Sequence, residues 1–209
     1  MSTKDFLKKI KDEDIEYVDV RFTDTRGKLQ HVTIVSDLVD EDFVEEGFMF
    51  DGSSIAGWKS IEASDMKLML DTDTAYVDPF YAEKTICVHC SVVEPDTGEA
   101  YERDPRGTAQ KAEAYLKASG IGDVAYMGPE AEFFLFDNVK FSNSINKVSY
   151  EVDASDASWN TDTDYEMGNM GHRPGLKGGY FPVNPTDEAQ DLRAEMLSTM
   201  KRLGMKVDK

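Results

Sequence analysis

Residues 126–137 read YMGPEAEFFLFD, and this run restricts the possible folds more than any other part of the sequence. Its apolar side chains predict a strand, in which residues two apart point to the same face. Glu130 and Glu132 therefore share one face, which Phe134 and Phe136 continue. Because the intervening side chains are also mostly apolar, we expect the strand to be covered on both sides.

Two neighbouring carboxylates inside such a strand need a positive partner. Burying an unpaired carboxylate costs several kcal/mol, and two adjacent ones also repel each other. Arginine or lysine side chains would meet this need, and so would a pair of divalent cations. Because carboxylate oxygens are hard ligands, a metal at Glu130 and Glu132 would be Mg²⁺ or Mn²⁺ rather than zinc. The residues alone leave both alternatives open.

The charge balance excludes several classes of partner. The sequence has 23 basic and 41 acidic residues, which is a formal net charge of −18. This charge repels nucleic acids and anionic membrane surfaces, and no basic cluster overrides it. With 40% hydrophobic residues, the chain has enough apolar mass for a core. No run approaches the ~20 apolar residues of a membrane span and no signal peptide is evident, so we expect a soluble cytoplasmic protein that binds neither nucleic acid nor membrane.

The chain has two cysteines, Cys87 and Cys90, in the run KTICVHCSVV. A C-x-x-C pair can bind zinc or exchange disulfides, but the β-branched neighbours here predict a strand. Residues three apart in a strand point to opposite faces and cannot bind one ion together. No second pair of cysteines completes a tetrahedral site. We therefore expect both thiols to be buried or half-buried strand residues.

Hydrophobic patterns near the amino terminus predict a small, mostly β unit. Thr3 is predicted to cap a short helix with an apolar stripe, and an acidic helical stretch begins at Ser36 and ends at Gly47. The turn TDTRGK joins the first two β-rich runs as a hairpin. Four such runs predict strands: residues 17–22, 29–35, 66–70 and 85–93.

A different pattern begins at Asp104. This residue and the proline after it start a predicted helix that ends at Gly120. A long polar loop region is predicted over residues 138–184 and an amphipathic helix over residues 186–204. The last residues, 205–209, predict the beginning of a strand. These patterns therefore predict one whole domain and the start of another.

Five motifs carry a family resemblance: FMFDGSSIAGW, SDMKLMLD, YERDPRG, MGPEAEFFLFD and GHRPGLKGGYFPVNP. In these motifs, and in their order, the whole chain resembles bacterial type I glutamine synthetase. The resemblance implies an α+β fold with a small β-grasp-like amino-terminal domain over residues 1–103. The first part of a glutamine-synthetase-type catalytic α/β domain is expected over residues 104–209, and that domain would be incomplete.

That family joins ammonia to glutamate with ATP, through a γ-glutamyl phosphate. The resemblance implies that Glu130 and Glu132 bind divalent ions, Mg²⁺ or Mn²⁺, with two ions in each site. Such ions would explain how an acidic protein binds ATP, because they neutralise charge on the transferred phosphoryl group. The resemblance also implies a homo-oligomer, a double ring in the family, whose active sites lie between subunits.

The remaining candidate site residues also come from the resemblance. Asp51 and Ser54 belong to a loop that reaches a neighbouring subunit's site, where Asp51 binds ammonium and takes its proton so that neutral ammonia can attack. Taken alone, the letters FDGSSI are typical of a turn. Tyr180 would lie beside the ammonium pocket, although the two glycines before it favour a bulge by themselves. Asp208 matches a nucleotide-contacting glutamate of the family but has a shorter side chain.

Two other interpretations stay open. The 209 residues can be a non-catalytic chain that acts only as a binding or interaction fragment, because the family's third metal carboxylate and its substrate arginines are not in it. A γ-glutamyl-amine ligase of the same superfamily would use the same metals with a larger amine. The motifs FDGSS and KGGYFP favour ammonium. On any of these interpretations, the chain alone is expected to be inactive.

Overall fold

The computed structural model describes residues 1–159 and 173–208. These residues form seven β-strands and four α-helices, so the predicted α+β class is confirmed. None of those four helices has the length and apolarity needed to cross a bilayer. The chain divides into two compact units, Met1–Met127 and Gly128–Lys209.

The first unit is built on a five-stranded sheet. Its strands are β1 (Tyr17–Thr23), β2 (Leu29–Val35), β3 (Phe48–Asp51), β4 (Asp65–Val77) and β5 (Thr85–Val93). They lie in the order β2-β1-β5-β4-β3, with β1 and β5 parallel and every other neighbouring pair antiparallel. The four strands predicted from the sequence are all present, and the predicted β1–β2 hairpin is confirmed.

Three helices accompany this sheet: α1 (Thr3–Asp12), α2 (Glu41–Glu46) and α3 (Pro105–Ser119). The cap of α1 is Ser2 rather than the predicted Thr3, and its hydroxyl oxygen accepts the backbone N–H of Asp5 at 3.1 Å. The predicted acidic helix divides into a 3₁₀ turn and α2, because Asp40 begins a new helix by accepting the N–H of Phe43 at 2.8 Å.

One face of the sheet carries the hydrophobic core. Val18, Val20 and Phe22 alternate along β1 and are buried in one cluster with Phe6 and Ile10 of α1. Successive strand residues point to opposite faces, so this alternation leaves the polar residues of β1 on the other face. The core therefore fixes which side of the sheet remains available for polar contacts.

Cys87 and Cys90 lie in β5, as predicted, and both are buried. Burial, the largest influence, raises the pKa of each thiol to about 12. At neutral pH both groups are therefore protonated thiols, which are poor metal ligands and poor nucleophiles. The structure thus confirms the prediction of buried strand cysteines.

The sequence patterns miss β3 and half of β4. Strand β3 pairs with the start of β4, with Phe48 opposite Leu68, and β4 continues to Val77 although its sequence becomes polar after Leu70. Pairing with β5 supports this polar half, and the register shifts between Asp71 and Tyr76. Neighbouring strands thus supply the hydrogen bonds that local propensity does not predict.

The second unit contains the hairpin β6 (Asn138–Ser144) and β7 (Lys147–Asp153), followed by α4 (Gln190–Arg202). The prediction of a loop over residues 138–184 is wrong at its start, because residues 138–153 form this hairpin, in which Phe141 pairs with Tyr150. Alternation of apolar and polar residues in VKFSNS and KVSYEVD is the signal that would have predicted it. The predicted helix is confirmed as α4, which starts later than expected.

The strand predicted within residues 126–137 is absent from the structure. Residues 126–136 belong to no helix or strand, and their side chains are exposed. Phe134, for example, is 85% exposed. A strand needs a hydrogen-bonded neighbour, and no strand in the described part of the chain pairs with this segment. The strand predicted to begin at residue 205 is likewise absent from residues 205–208.

Candidate active-site residues

Asp51 is the last residue of β3, and the 3₁₀ turn Gly52–Ser54 follows it directly. Its carboxylate accepts the hydroxyl of Ser53 at 2.6 Å and the backbone N–H of Ser53 at 2.8 Å. The Ser53 hydroxyl, followed by the Ser53 N–H, lowers the pKa of Asp51 below its ordinary value. Because Asp51 and Ser54 are both exposed, the turn presents an ionised carboxylate and a hydroxyl to solvent.

Gly52 holds this turn against the sheet. Its N–H donates to the carbonyl of Ser64 at 2.7 Å, and the residue is buried. A Cβ at this position would lie 3.1 Å from that carbonyl oxygen and closer still to the fully buried side chain of Met66. The turn therefore requires glycine for close approach.

The other end of the loop is held by an aromatic cluster. Trp58 is buried and its ring centroid lies 5.5 Å from that of Phe22 and 6.3 Å from that of Phe50. The Tyr101 ring meets Trp58 edge-on at 5.3 Å, and the Tyr101 hydroxyl donates to the Trp58 carbonyl oxygen at 2.9 Å. The loop over residues 52–58 is thus anchored at both ends.

An ion pair lies next to this aromatic cluster. The Lys59 ammonium donates to both carboxylate oxygens of Glu94 at 2.7 Å. The same ammonium lies 5.3 Å from the centroid of the Tyr101 ring, within the range of a cation–π contact. These contacts connect the residue after Trp58 to the end of β5.

Glu130 and Glu132 are not in the surroundings that the sequence predicted. Both lie on the exposed segment without regular structure, and neither side chain forms an ion pair or hydrogen bond within residues 1–159 and 173–208. The argument that burial forces a cation beside them is therefore wrong for this structure, because solvent can hydrate both carboxylates. Nor does any group of three or more His, Cys, Asp or Glu side chains that could hold a metal ion occur among the described residues.

Tyr180 and Asp208 also lie in the second unit, on segments without helix or strand. Tyr180 is 88% exposed and meets Phe181 edge-on, with ring centroids 4.8 Å apart. Asp208 is exposed. Neither side chain contacts Glu130 or Glu132 in any hydrogen bond or ion pair of the described residues. Only Asp51 and Ser54 are therefore brought together by the fold of one unit.

By sequence, His172 and Arg173 in GHRPG fit phosphate binding and a solvated loop equally well. His172 lies outside the described residues. Arg173 is buried and its guanidinium pairs with Glu188 at 2.6 Å. This contact favours a structural role for Arg173 within the second unit.

Sequence reasoning missed a buried polar network on the face of the sheet opposite the core. The Asp19 carboxylate is fully buried and accepts hydrogen bonds from Arg21 at 2.6 Å and Thr33 at 2.7 Å, with the His31 ring nitrogen at 2.6 Å. Arg21 also donates to the Tyr76 hydroxyl at 2.6 Å. The signal was present in YVDVRF, where charged residues alternate with core residues.

Comparisons with known proteins agree with these features. The family model "Glutamine synthetase, beta-Grasp domain" matches residues 14–95, and "Glutamine synthetase, catalytic domain" matches residues 102–209. The chain is 76% identical over 205 residues to a glutamine synthetase of Cereibacter sphaeroides and 72% identical over 208 residues to one of Rhodobacter capsulatus. The two matches include 98% and 100% of this chain, but only 44% and 47% of the length of the respective relatives.

A solved structure gives the same result for the fold. A Plasmodium falciparum glutamine synthetase, determined by cryo-electron microscopy, superposes with a TM-score of 0.83 over 100% of this chain and 41% of that one, at 21% identity. At that identity the likeness concerns the fold alone. The chain thus spans less than half the length of the relatives it matches, and it belongs to the glutamine synthetase family.

Proposed function

We propose that this chain is the amino-terminal part of a glutamate–ammonia ligase that makes glutamine from glutamate, ammonia and ATP through a γ-glutamyl phosphate. The enzyme would be a cytoplasmic homo-oligomer, a double ring, with active sites between subunits. The observation that carries the proposal is the 76% identity over 205 residues with the Cereibacter sphaeroides glutamine synthetase. We place the domain boundary at residues 103–104, just inside the start of the matched catalytic-domain region at residue 102 and after the matched β-grasp region that ends at residue 95.

In this proposal the Asp51 turn binds ammonium. An exposed carboxylate with a lowered pKa stays ionised at neutral pH and attracts a cation, and Ser54 adds a hydroxyl oxygen beside it. Asp51 would then accept a proton from ammonium, because only neutral ammonia carries the lone pair that attacks the acyl phosphate. Tyr180 would face the same pocket, and Asp208 would contact the nucleotide. These roles rest on the family resemblance.

Glu130 and Glu132 are proposed as part of a site for two Mg²⁺ or Mn²⁺ ions. Their oxygen donors suit these hard cations, which would neutralise phosphate charge when bound. Such an ion takes roughly six ligands, and two carboxylates supply fewer. The described residues therefore do not by themselves form a complete metal site. The pair is therefore a partial ligand set that needs further groups.

A chimera provides the test of this function. This chain would replace the matching amino-terminal portion of the Cereibacter sphaeroides relative, of which it covers 44%. We expect the chimera to form glutamine from glutamate, ammonia, ATP and Mg²⁺, and the 209-residue chain alone to form none. An assembled chimera without activity would overturn the proposal. Glutamine made by the chain alone would contradict the need for the remaining part of the relative's length.

The same chimera tests the metal and substrate assignments. Glu130→Gln and Glu132→Gln should each lower the rate at least about a hundredfold, since metal ions stabilise several kcal/mol of transition-state charge. Glu151→Gln, at an exposed glutamate of β7, is the matched control.

Methylamine in place of ammonia distinguishes a γ-glutamyl-amine ligase, which would prefer the larger amine. The family matches and the ammonium turn favour ammonia.

A further inference from the structure

Tyr101 lies in the motif YERDPRG, which the proposed site does not use. It is 4% exposed, its N–H donates to the Val92 carbonyl at 2.9 Å, and its neighbour Ala100 bridges to Val93. These backbone contacts fix the residue to the end of β5. Its side chain then reaches a segment more than forty residues earlier in the chain, where it contacts Trp58.

A series of hydrogen bonds connects Tyr101 to the turn after Asp51. The Tyr101 hydroxyl donates to the Trp58 carbonyl at 2.9 Å, and the Trp58 N–H donates to the Ile55 carbonyl at 3.1 Å. The Ile55 N–H in turn donates to the Gly52 carbonyl at 3.2 Å. The two backbone bonds each close a short turn, so a displacement of Trp58 would be passed along the backbone to Ile55 and Ser54.

We propose that Tyr101 is a positioning residue for the ammonium turn, residues 51–54, acting through Trp58 to hold Ser54 in place beside Asp51. This inference rests on the proposed function, in which that turn contacts ammonium. The Lys59–Glu94 ion pair supports the same end of the segment, since the Lys59 ammonium also lies over the Tyr101 ring. Gly52 is held by the sheet, whereas the residues between Gly52 and Trp58 depend on the anchor at Trp58.

The Tyr101→Phe variant removes one hydroxyl and keeps the ring. It leaves the buried carbonyl of Trp58 without its donor, which weakens the anchor and not the ring packing. The matched control is Tyr115→Phe on α3, because that side chain is 76% exposed and makes no hydrogen bond among the described residues. In the 209-residue chain, amide hydrogen exchange at Ile55 and Trp58 should be roughly tenfold faster in Tyr101→Phe and unchanged in Tyr115→Phe.

Steady-state kinetics of the chimera measure the consequence for ligand binding. Tyr101→Phe should raise KM for ammonium about three- to tenfold and leave KM for glutamate and for ATP within about twofold, because only the ammonium turn moves. Glu94→Gln, which weakens the ion pair and leaves Tyr101 intact, should raise KM for ammonium in the same selective way. Glu113→Gln, from an exposed pair with Lys117, is its control and should have no effect.

The outcomes separate this inference from the proposed function. If Asp51→Asn removes activity while Tyr101→Phe and Glu94→Gln leave both exchange and KM for ammonium unchanged, the positioning role is overturned and the function stands. Faster exchange with an unchanged KM for ammonium also overturns it. If Asp51→Asn is as active as the parent chimera, the ammonium role of the turn fails instead, and the inference that rests on it fails too. A selective rise in KM supports both.

Discussion

Asp19 determines the polar face of the amino-terminal sheet. Its carboxylate is buried, and burial raises its pKa, but hydrogen bonds from Thr33, His31 and Arg21 together outweigh that effect and hold the pKa below its ordinary value. A buried carboxylate is stable only when its oxygens are paired in this way. The residue therefore stabilises the sheet through its ionised form, which makes the stability of this unit dependent on pH.

We predict the pH dependence from the sign of this shift. Because the folded pKa of Asp19 lies below its ordinary value of 3.8, its contribution is present at neutral pH and is lost as the pH falls below about 4 through the folded value. Asp19→Asn should cost about 3 kcal/mol at pH 7. The cost should shrink at pH 3, measured by urea unfolding, whereas exposed Asp123→Asn should change little. A cost independent of pH would contradict this account.

The close packing of Gly52 leads to a second prediction for a single residue. A Cβ there would collide with the buried Met66 side chain, so Gly52→Ala should lower the free energy of unfolding by about 1–3 kcal/mol. Gly122→Ala is the matched control in the same unit, because its Cβ would meet only Leu116 at 3.7 Å. Urea denaturation followed by circular dichroism measures both. Equal stability of the two variants would show that the turn accommodates a side chain.

At the scale of elements, α3 is joined to the sheet through its own cap. The Asp104 carboxylate is 1% exposed; one oxygen accepts the Arg106 N–H at 3.0 Å and caps the helix. The other oxygen accepts the Val92 N–H of β5 at 3.0 Å. One side chain thus accepts backbone N–H groups at the start of a helix and near the end of the central strand β5. A sequence pattern of Asp followed by Pro does not reveal this connection.

This double role predicts unequal costs for two helix caps. Asp104→Ala leaves two backbone donors without an acceptor and should cost about 2–4 kcal/mol. Asp40→Ala removes only the exposed cap of α2 and should cost about 1 kcal/mol. Comparison of the two unfolding free energies checks the prediction. If Asp104→Ala costs no more than Asp40→Ala, the bond to Val92 does not contribute.

At the scale of the whole molecule, the chain exposes large apolar side chains in its second unit. Phe134 is 85% exposed, and Phe141 and Tyr150, which face each other across the β6–β7 hairpin, are 81% and 80% exposed. Among the described residues, the outer edges of β6 and β7 pair with no further strand. Exposed apolar surface and open edges favour association between chains.

We therefore expect the isolated 209-residue chain to self-associate, as light scattering would show. Phe134→Glu should reduce the average mass, because a charge opposes burial of that surface. Phe80→Glu, which changes an 82% exposed phenylalanine of the first unit, is the control and should leave the mass unchanged. A monomer in dilute solution would refute the expectation.

The local sequence pattern was sufficient to predict those elements whose own residues specify their structure. Periodicity, capping and β-branching predicted strands β1, β2 and β5, helix α3 with its Asp104 cap and Gly120 end, and the two buried strand cysteines. The motif FDGSSI predicted the turn that presents Asp51. The roles of the six candidate site residues remain predictions that rest on the family resemblance.

Only the tertiary structure decided features that depend on a partner distant in sequence. The polar half of β4 is a strand because β5 pairs with it, and Asp19 is stable because Arg21, Thr33 and His31 converge on it. Residues 126–136 show the reverse case, since no strand within residues 1–159 and 173–208 pairs with this apolar segment and its side chains stay exposed. Backbone hydrogen bonds and buried charges need partners in space, and a single run of residues does not specify those partners.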